Sequence, residues 1–294
     1  MNTTNYITNY RKKKLNLIMI TITQNNQTTT IIPRQRNKWT FVKSNSTKKG
    51  ALHDDPIYLI QQFYISENEQ RYEETQFALQ KNVENKWIDT IYLLNERKYS
   101  DEELGCSSSK IKQIIIHKRM MVSHILNFVE SFHLDGYIIF SNSDIFLDDT
   151  VSNVKYSGIH QDKKLYSQLR IEYQTGVDFN DFELYDEGCD GYIQSWNSIP
   201  GWNPLKCDSA DTWIYHSNFN VPRNDRTIFE RYIGWSAIDQ VIPMMFFERG
   251  FEIANEPYFI QTFHCHENNY RIQSATTHKR YYDDYLLCFP QVTH

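Results

Sequence analysis

An alternation of strand and helix patterns over residues 57–147 constrains the fold of this chain more than any other feature. Short apolar runs predict four strands, at residues 57–65, 87–94, 110–117 and within 135–147. Apolar residues at helical spacing predict two helices, at 69–86 and 120–132, the first opened by a capping box of Ser66 and Glu69. Because such alternation is typical of parallel sheets, we predict an α/β fold with a mostly parallel central sheet, in one domain at residues 51–294.

Residues 1–50 differ from the rest of the chain in charge. They contain ten Lys or Arg and no Asp or Glu, while residues 51–294 carry 21 basic and 36 acidic residues. We interpret residues 1–50 as a basic, Asn/Thr-rich, flexible tail, with a targeting leader or a short strand at 17–22 as the alternatives.

Composition excludes several classes of protein. The net charge of −5 argues against a nucleic-acid-binding protein, and no apolar run predicts a transmembrane segment. The turn after the first strand lacks glycine, which argues against a dinucleotide oxidoreductase, and no P-loop motif occurs. Five scattered cysteines favour a reducing compartment, so we expect a cytoplasmic protein.

Polar residues directly follow the fourth predicted strand. Asn142, Ser143 and Asp144 lie where parallel sheets bind ligands, at the carboxyl end of a strand. In an extended chain Asn142 and Asp144 would point the same way, and their oxygen atoms suit Mg²⁺ or Mn²⁺, which would hold a diphosphate. The alternative is that these residues only form the turn that ends the strand.

The second half of the chain adds further candidates. Asp211 precedes an aromatic strand pattern, and Asp239 is predicted at the N-terminus of a helix at 241–248, where Pro243 fits only the first turn. A plain N-cap is the alternative for Asp239. His264 and His266 share one face at the end of a predicted strand at 258–266, where they would bind metal or phosphate, or form only an exposed pair.

These segments, in this order, resemble a poorly characterised family of GT-A-fold glycosyltransferases found in bacteria, algae and large DNA viruses. The resemblance covers about residues 55–280 and implies a GT-A-like, Rossmann-like domain in a protein of viral type. The triplet from Asn142 to Asp144 resembles the Asp-x-Asp motif, which binds a divalent metal and the nucleotide-sugar diphosphate. Asp211 matches an Asp-x-Trp segment, and His264-Cys265-His266 with Arg271 resembles a His-x-His…Arg ending.

The sequence also departs from the family pattern. Asn142 stands where the first Asp of the motif is usual, which removes one charge. Asp239 lies in Ser-Ala-Ile-Asp-Gln where the family has Gly-Cys-Asp-Asn, at the place of the acceptor-activating carboxylate.

The resemblance implies transfer of a sugar from a nucleotide-diphosphate sugar to a glycan or other hydroxyl acceptor. Mn²⁺ or Mg²⁺ would bind Asp144, assisted by Asn142, His264 and His266. Asp239 would act as general base in an inverting reaction, with Asp211 as the alternative base or as a sugar-orienting residue.

Further donor contacts are assigned to Phe63 and Tyr64 stacking on the nucleobase, Asn95 bonding the base or ribose, and Arg119 and Arg271 binding phosphate.

Two other functions remain open from the sequence. A catalytically inactive module that binds a nucleotide sugar or glycan is favoured by Asn142. A metal-dependent phosphoesterase would use Asp144, Asp211, Asp239 and the two histidines. An aromatic-rich stretch at 183–202 predicts either a mobile loop that faces the sugar or a loop packed on the core.

Overall fold

The computed structural model describes residues 20–24, 27–33, 38–44, 47, 49–173, 210–235, 238–265 and 285–289. Seven strands form the central sheet: β4 (Ile57–Gln61), β5 (Thr90–Asn95), β6 (Ile111–Ile115), β7 (Tyr137–Ser141), β9 (Lys164–Leu169), β11 (Ala210–His216) and β12 (Glu252–Ala254). Their order is β12-β9-β11-β7-β4-β5-β6. Four of the six pairings are parallel, and β11 runs antiparallel to both of its neighbours. The predicted α/β class with a mostly parallel central sheet is confirmed.

Side chains of the central strands alternate between two cores, as expected for a sheet covered on both faces. In β7, Ile138 and Phe140 belong to one core, while Tyr137 and Ile139 belong to the other. The helices α3 (Val122–Ser131) and α4 (Ile238–Phe247) pack into the first core. The helix α1 (Glu69–Glu84) contributes Leu79 to the second core, and the short α2 (Asp101–Leu104) contributes Leu104.

Two helix starts differ from the prediction. The N-cap of α1 is Asn68, whose side chain accepts a hydrogen bond from the Arg71 N–H at 2.9 Å, so the predicted capping box at Ser66 is wrong. The Ser66 hydroxyl instead accepts from the Asn68 N–H at 3.2 Å. The helix α4 begins at Ile238, three residues before the predicted start, and both Ile238 and Gln240 are buried. Pro243 therefore lies beyond the first turn.

A three-stranded sheet stands beside the end of β7. It consists of β8 (Ile145–Leu147), β10 (Ile171–Tyr173) and β13 (Thr262–Cys265), in the order β10-β13-β8. The strand β13 is parallel to β10 and antiparallel to β8. This pairing brings residues 171–173 and 262–265 next to the turn that joins β7 to β8.

Part of the predicted tail forms strands. A four-stranded sheet contains β1 (Ile20–Gln24), β2 (Gln27–Pro33), β3 (Lys38–Lys43) and β14 (Tyr285–Phe289). The Ile and Thr residues of β1 and β2 have high strand propensity, and the two strands pair antiparallel. The interpretation of residues 1–50 as a flexible tail stays a prediction. The assignment of residues 1–50 to a separate unit stays a prediction. None of the described helices is long and apolar enough to cross a membrane.

Candidate functional site

The turn from β7 to β8 carries Asn142 and Asp144. The Gln61 side-chain amide at the end of β4 holds this turn by donating to the carbonyls of Asn142 at 2.8 Å and Ile145 at 3.1 Å. The Ile145 N–H donates to the Asn142 carbonyl at 3.3 Å, which closes the turn. Asn142 and Asp144 therefore lie on a tight turn, which was the alternative interpretation of the sequence. They do not lie in an extended strand.

Asn82 in α1 and Asn85, the residue that caps its C-terminus, fix the strand that follows the turn. Asn82 donates to the Ile145 carbonyl at 2.9 Å and accepts from the Leu147 N–H at 3.0 Å. Asn85 donates to the Leu147 carbonyl at 2.9 Å. These bonds satisfy buried backbone groups of β8, so α1 and the turn form one rigid support for the site.

Asp144 is buried and lies between two cationic groups. Its carboxylate forms an ion pair with Arg71 and is 2.9 Å from Nε2 of His264. Nδ1 of the same imidazole is 2.7 Å from a carboxylate oxygen of Glu172. Burial opposes the charged form of Asp144, but His264 and Arg71 outweigh it and hold the pKa of Asp144 well below its usual range.

The same contacts set the protonation of His264. Burial alone would lower the pKa of His264, but the charge of Asp144 and the hydrogen bonds to Asp144 and Glu172 raise it to about 9. At neutral pH His264 is therefore an imidazolium that donates through both nitrogens. Its predicted role as a metal ligand would require loss of a proton and of one carboxylate contact.

Asp211, the first polar residue of β11, is bound from two sides. Its carboxylate accepts from the Asn142 amide at 2.6 Å and forms an ion pair with Arg170. Nε of Arg170 also donates to Glu172 at 2.8 Å. Burial would lower the pKa of Arg170, but the charges of Asp211 and Glu172 raise it.

These contacts link six side chains in a continuous series of hydrogen bonds and ion pairs. The series begins at Asn142 and ends at Asp144, and the backbone of the turn connects these two residues. We call this set the polar ring; its members are Asn142, Asp211, Arg170, Glu172, His264 and Asp144. Arg71 extends the polar ring and also donates to Glu74 at 2.8 Å and to the Cys265 carbonyl at 3.1 Å. The polar ring lies at the carboxyl edge of the central sheet, where β4 and β7 end.

Two oxygen atoms of the polar ring have no hydrogen-bond donor among the described residues. They are Oδ1 of Asn142 and Oδ1 of Asp144, and both are buried. A carboxamide oxygen and a carboxylate oxygen are ligands that Mg²⁺ and Mn²⁺ accept. The polar ring therefore fits the divalent metal that the family resemblance implies, with Asn142 and Asp144 as its holders.

Gly234 keeps the space beside Asn142 open. A Cβ at this position would lie 3.7 Å from Oδ1 of Asn142 and 3.4 Å from Nη2 of Arg119. Its φ of +76° is also in the region that favours glycine. The same proximity shows that Arg119 lies next to the polar ring, where it donates to the Ile233 carbonyl at 3.0 Å.

The structure also brings Asp239 and Tyr64 to this edge. Asp239 lies in the first turn of α4, is partly exposed and interacts electrostatically with Arg170. Tyr64 is partly exposed and interacts electrostatically with both Arg71 and Arg119. Ser143, in the turn itself, is also partly exposed.

Two predicted donor contacts lie in the protein interior. The Phe63 ring is buried between Tyr72 and Tyr99, at centroid distances of 6.2 and 5.2 Å, so it packs the core and has no open face for a nucleobase. Asn95 is also buried and accepts from the Phe63 N–H at 2.9 Å. Both expected roles differ from the structure because β4 ends at Gln61 and the chain then turns Phe63 inward.

Three other predictions lie outside the described residues, namely those for His266, Arg271 and the aromatic-rich stretch 183–202. The sequence interpretation missed Arg71, Arg170 and Glu172. Arg170 and Glu172 stand two positions apart just after the buried strand β9, and charged residues at that spacing in a strand were a usable signal.

A different group of potential metal ligands lies elsewhere. Among the described residues, His53, Asp55 and His216 form the one group of at least three His, Cys, Asp or Glu side chains whose ligand atoms all lie within 4.8 Å of one another. His53 and Asp55 precede β4, and His216 ends the antiparallel β11. This set is therefore at the amino edge of the central sheet, where β4 and β7 begin, and includes none of the predicted metal ligands.

No profile of a known protein family matches the chain, and no curated protein matches it. Among solved structures the chain is similar to GalNAc-T7 with UDP, GalNAc and Mn²⁺, at 11% identity and a TM-score of 0.44, over 71% of this chain and 43% of that one. It is also similar to the mannosyltransferase PcManGT from Pyrobaculum calidifontis in complex with GDP-Man and Mn²⁺, at 10% identity and a TM-score of 0.32, over 42% and 38%. A third similar structure is 4-diphosphocytidyl-2C-methyl-D-erythritol synthase from Anaerococcus prevotii, at 11% identity and a TM-score of 0.37, over 68% and 86%.

The aligned region thus spans less than half the length of both sugar transferases. Identities near 10% and TM-scores below 0.5 do not establish a shared function.

Proposed function

We propose that the protein is a glycosyltransferase that moves a sugar from a nucleotide-diphosphate sugar to a hydroxyl group of a glycan or another acceptor. The observation that carries this proposal is the polar ring at the carboxyl edge of the sheet. It combines two buried oxygen atoms without a donor among the described residues with the guanidinium groups of Arg71 and Arg170. A site that holds both positively charged groups and oxygen ligands suits a diphosphate and the cation that accompanies it.

The cationic side chains would bind the donor. A nucleoside diphosphate carries several negative charges, and guanidinium groups bind phosphate oxygens with paired N–H donors. Arg71, Arg170 and Arg119 all lie at or beside the polar ring. Tyr64, close to two of these arginines, is the side chain that would stack on the nucleobase.

Asp144 and Asn142 would hold the metal. When bound, Mn²⁺ or Mg²⁺ would offset the negative charge that develops on the departing diphosphate. The protein's own contribution is to keep Asp144 ionised at neutral pH through Arg71 and His264. His264, and His266 outside the described residues, remain proposed assisting ligands.

Asp239 would activate the acceptor. In this step its carboxylate takes the proton of the acceptor hydroxyl, the oxygen attacks the anomeric carbon, and the bond to the diphosphate oxygen breaks with inversion. Asp239 suits the role because it is partly exposed at the start of α4, where the helix dipole favours a carboxylate. Asp211 already accepts from Asn142 and Arg170, so orienting the sugar suits it better than proton transfer.

Thermal melting and product analysis with UDP, GDP, CDP, dTDP and their sugars test the proposal. We expect one nucleotide family to raise the melting temperature in the presence of Mn²⁺ and to give a transferred sugar. Asp144→Asn should abolish the shift and lower turnover by about 10²-fold or more. The matched control is Asp149→Asn, because that carboxylate is 67% exposed and lies five residues along the chain.

Other outcomes separate the alternatives. Donor binding without any product would favour an inactive binding module. Hydrolysis of a phosphate ester without sugar transfer would favour a phosphoesterase. Absence of a shift with every donor, in a folded protein, would overturn the proposed function.

A further inference from the structure

Four side chains meet at the amino edge of the central sheet, opposite the polar ring. Nε2 of His53 is 2.7 Å from Oδ2 of Asp55, and Nε2 of His216 is 2.9 Å from the same oxygen. The ring of His160 stacks on that of His53 at a centroid distance of 3.7 Å. We call these four residues the histidine cluster.

The histidine cluster is separate from the polar ring. Along the β7–β11 pairing, His216 lies opposite Tyr137, and Thr212 lies opposite Ser141. Thr212 and His216 are four residues apart, so at a rise of about 3.3 Å per residue they lie about 13 Å apart. A ligand of the histidine cluster would therefore not touch the residues assigned to sugar transfer.

We propose that His53, Asp55 and His216 bind one Zn²⁺ ion. Two imidazole nitrogens and one carboxylate oxygen form a ligand set typical of zinc, whereas Mg²⁺ and Mn²⁺ prefer all-oxygen sites such as that of Asn142 and Asp144. One ligand atom from each of the three residues already lies within 4.8 Å of the others. Three protein ligands leave the fourth tetrahedral position to water.

His160 supports the site without being a ligand. Its ring is nearly parallel to that of His53, with an interplanar angle of 8°. A metal lies in the plane of the imidazole that binds it, so two parallel rings 3.7 Å apart do not share one ion. His160 therefore fixes the orientation of the His53 ring by stacking.

Zinc binding requires changes in hydrogen bonding, because the bonds from His53 and His216 to Asp55 give way to bonds to the metal. Nδ1 of His216 accepts from the Asn218 N–H at 3.2 Å, so the neutral ring carries its proton on Nε2, toward Asp55. On binding, Zn²⁺ takes the place of the Nε2 proton, the ring proton moves to Nδ1, and the bond from Asn218 is lost.

A metal here would connect distant parts of the chain. Asp55 and His216 are 161 residues apart in sequence. Backbone bonds already hold the segment before β4, from the Gly50 N–H to the Tyr156 carbonyl at 2.8 Å and from the His53 N–H to the Lys155 carbonyl at 2.9 Å. Zinc would add a direct link from this segment to the end of β11 and so stabilise the amino edge.

Zinc titration of the full-length, chelator-treated protein tests the proposal. Competition with a chromophoric chelator gives the stoichiometry and affinity, and melting with and without Zn²⁺ gives the stabilisation. Asp144→Asn serves as a background that weakens any metal binding at the polar ring. We expect one equivalent of Zn²⁺ to bind in this background and to raise the melting temperature.

The informative variants are His53→Ala and Asp55→Asn, whose side chains are 38% and 31% exposed, because replacement of the fully buried His216 would also disturb packing. Each should lower the Zn²⁺ affinity by about tenfold or more. His117→Asn, at an exposed histidine just after β6, is the matched control and should bind as the unaltered protein does. The proposal is overturned if no equivalent binds, if Asp144→Asn abolishes binding, or if His53→Ala and Asp55→Asn bind as tightly as the control.

Discussion

The two edges of the central sheet carry titratable side chains in contrasting arrangements. At the carboxyl edge, three carboxylates of the polar ring face guanidinium groups and an imidazolium. At the amino edge, two imidazoles share the single carboxylate of Asp55, with a third imidazole stacked alongside. The first arrangement keeps charges of both signs close together, and the second gathers imidazole nitrogens around one carboxylate oxygen. If both proposals hold, the same sheet would bind an anion and a hard cation at one end and a softer metal at the other.

Loss of Asp144 should have the largest effect and should disturb the carboxyl edge alone. Asp144→Ala leaves Arg71 and His264 buried without their shared partner, so the free energy of unfolding should fall by about 3–5 kcal/mol. Chemical denaturation measures this change. Asp149→Ala removes an exposed carboxylate and should change stability by less than about 0.5 kcal/mol. Equal stabilities of the two variants would show that the polar ring contributes nothing to folding.

The second-largest expected effect is a pH dependence of stability that arises at the carboxyl edge. The pKa of His264 is raised from 6.5 to about 9 in the folded protein, so its stabilising contribution is complete below pH 6.5 and is lost as the pH rises through 9. The free energy of unfolding should fall by about 3 kcal/mol over this pH range. Chemical denaturation at several pH values, in the presence of a metal chelator, measures this change. His264→Gln should flatten the profile over this range. An unchanged slope in that variant would assign the alkaline loss to another group.

Shortening the bridge between Asp211 and Glu172 should mainly affect activity. Arg170→Lys keeps the charge but replaces a fork that contacts both carboxylates by a single ammonium group. We expect kcat/KM for sugar transfer to fall about 10²-fold. Arg223→Lys, at an arginine that is 71% exposed, is the control and should retain full activity. Full activity of Arg170→Lys would remove Arg170 from the donor site.

The smallest expected effect is the coupling energy between the two edges. Asp144→Ala and His53→Ala alter sites beside opposite ends of β11, where Thr212 and His216 are about 13 Å apart, so their effects on the metal-free protein should add within about 0.5 kcal/mol. A double-mutant cycle by denaturation measures the coupling. A coupling energy well above that value would mean that the two edges communicate through the sheet.

Local patterns predicted the framework of the fold and several of the residues that meet in the candidate site. The strands β4 to β7 and the helices α1 and α3 follow the apolar spacing, and the site lies where such sheets bind ligands. Asn142, Asp144, Asp211 and His264 come together as the order of the motifs suggested. Each of these side chains lies in a strand or directly beside one, which makes it visible in the sequence.

The partners of these residues could not be read in the same way. Arg71 comes from α1, and Arg170 and Glu172 come from around β10, so their contacts depend on pairings between segments far apart in the chain. Phe63 and Tyr64 show a second limit. Both rings follow β4, and only the packing against Tyr72 and Tyr99 decides that Phe63 is the buried one. Such choices are made by tertiary contacts and not by local propensity.

The antiparallel course of β11 has a consequence for engineering. This one strand begins beside Asn142 and ends in the histidine cluster, and all seven of its residues are buried. Insertion or deletion of a single residue within it would turn every following side chain to the opposite face and displace both edges together. Loops that adjoin only one edge would confine such damage to that edge. Affinity tags, fluorophores or fused domains therefore belong in those loops, and β11 is the segment to leave at its natural length.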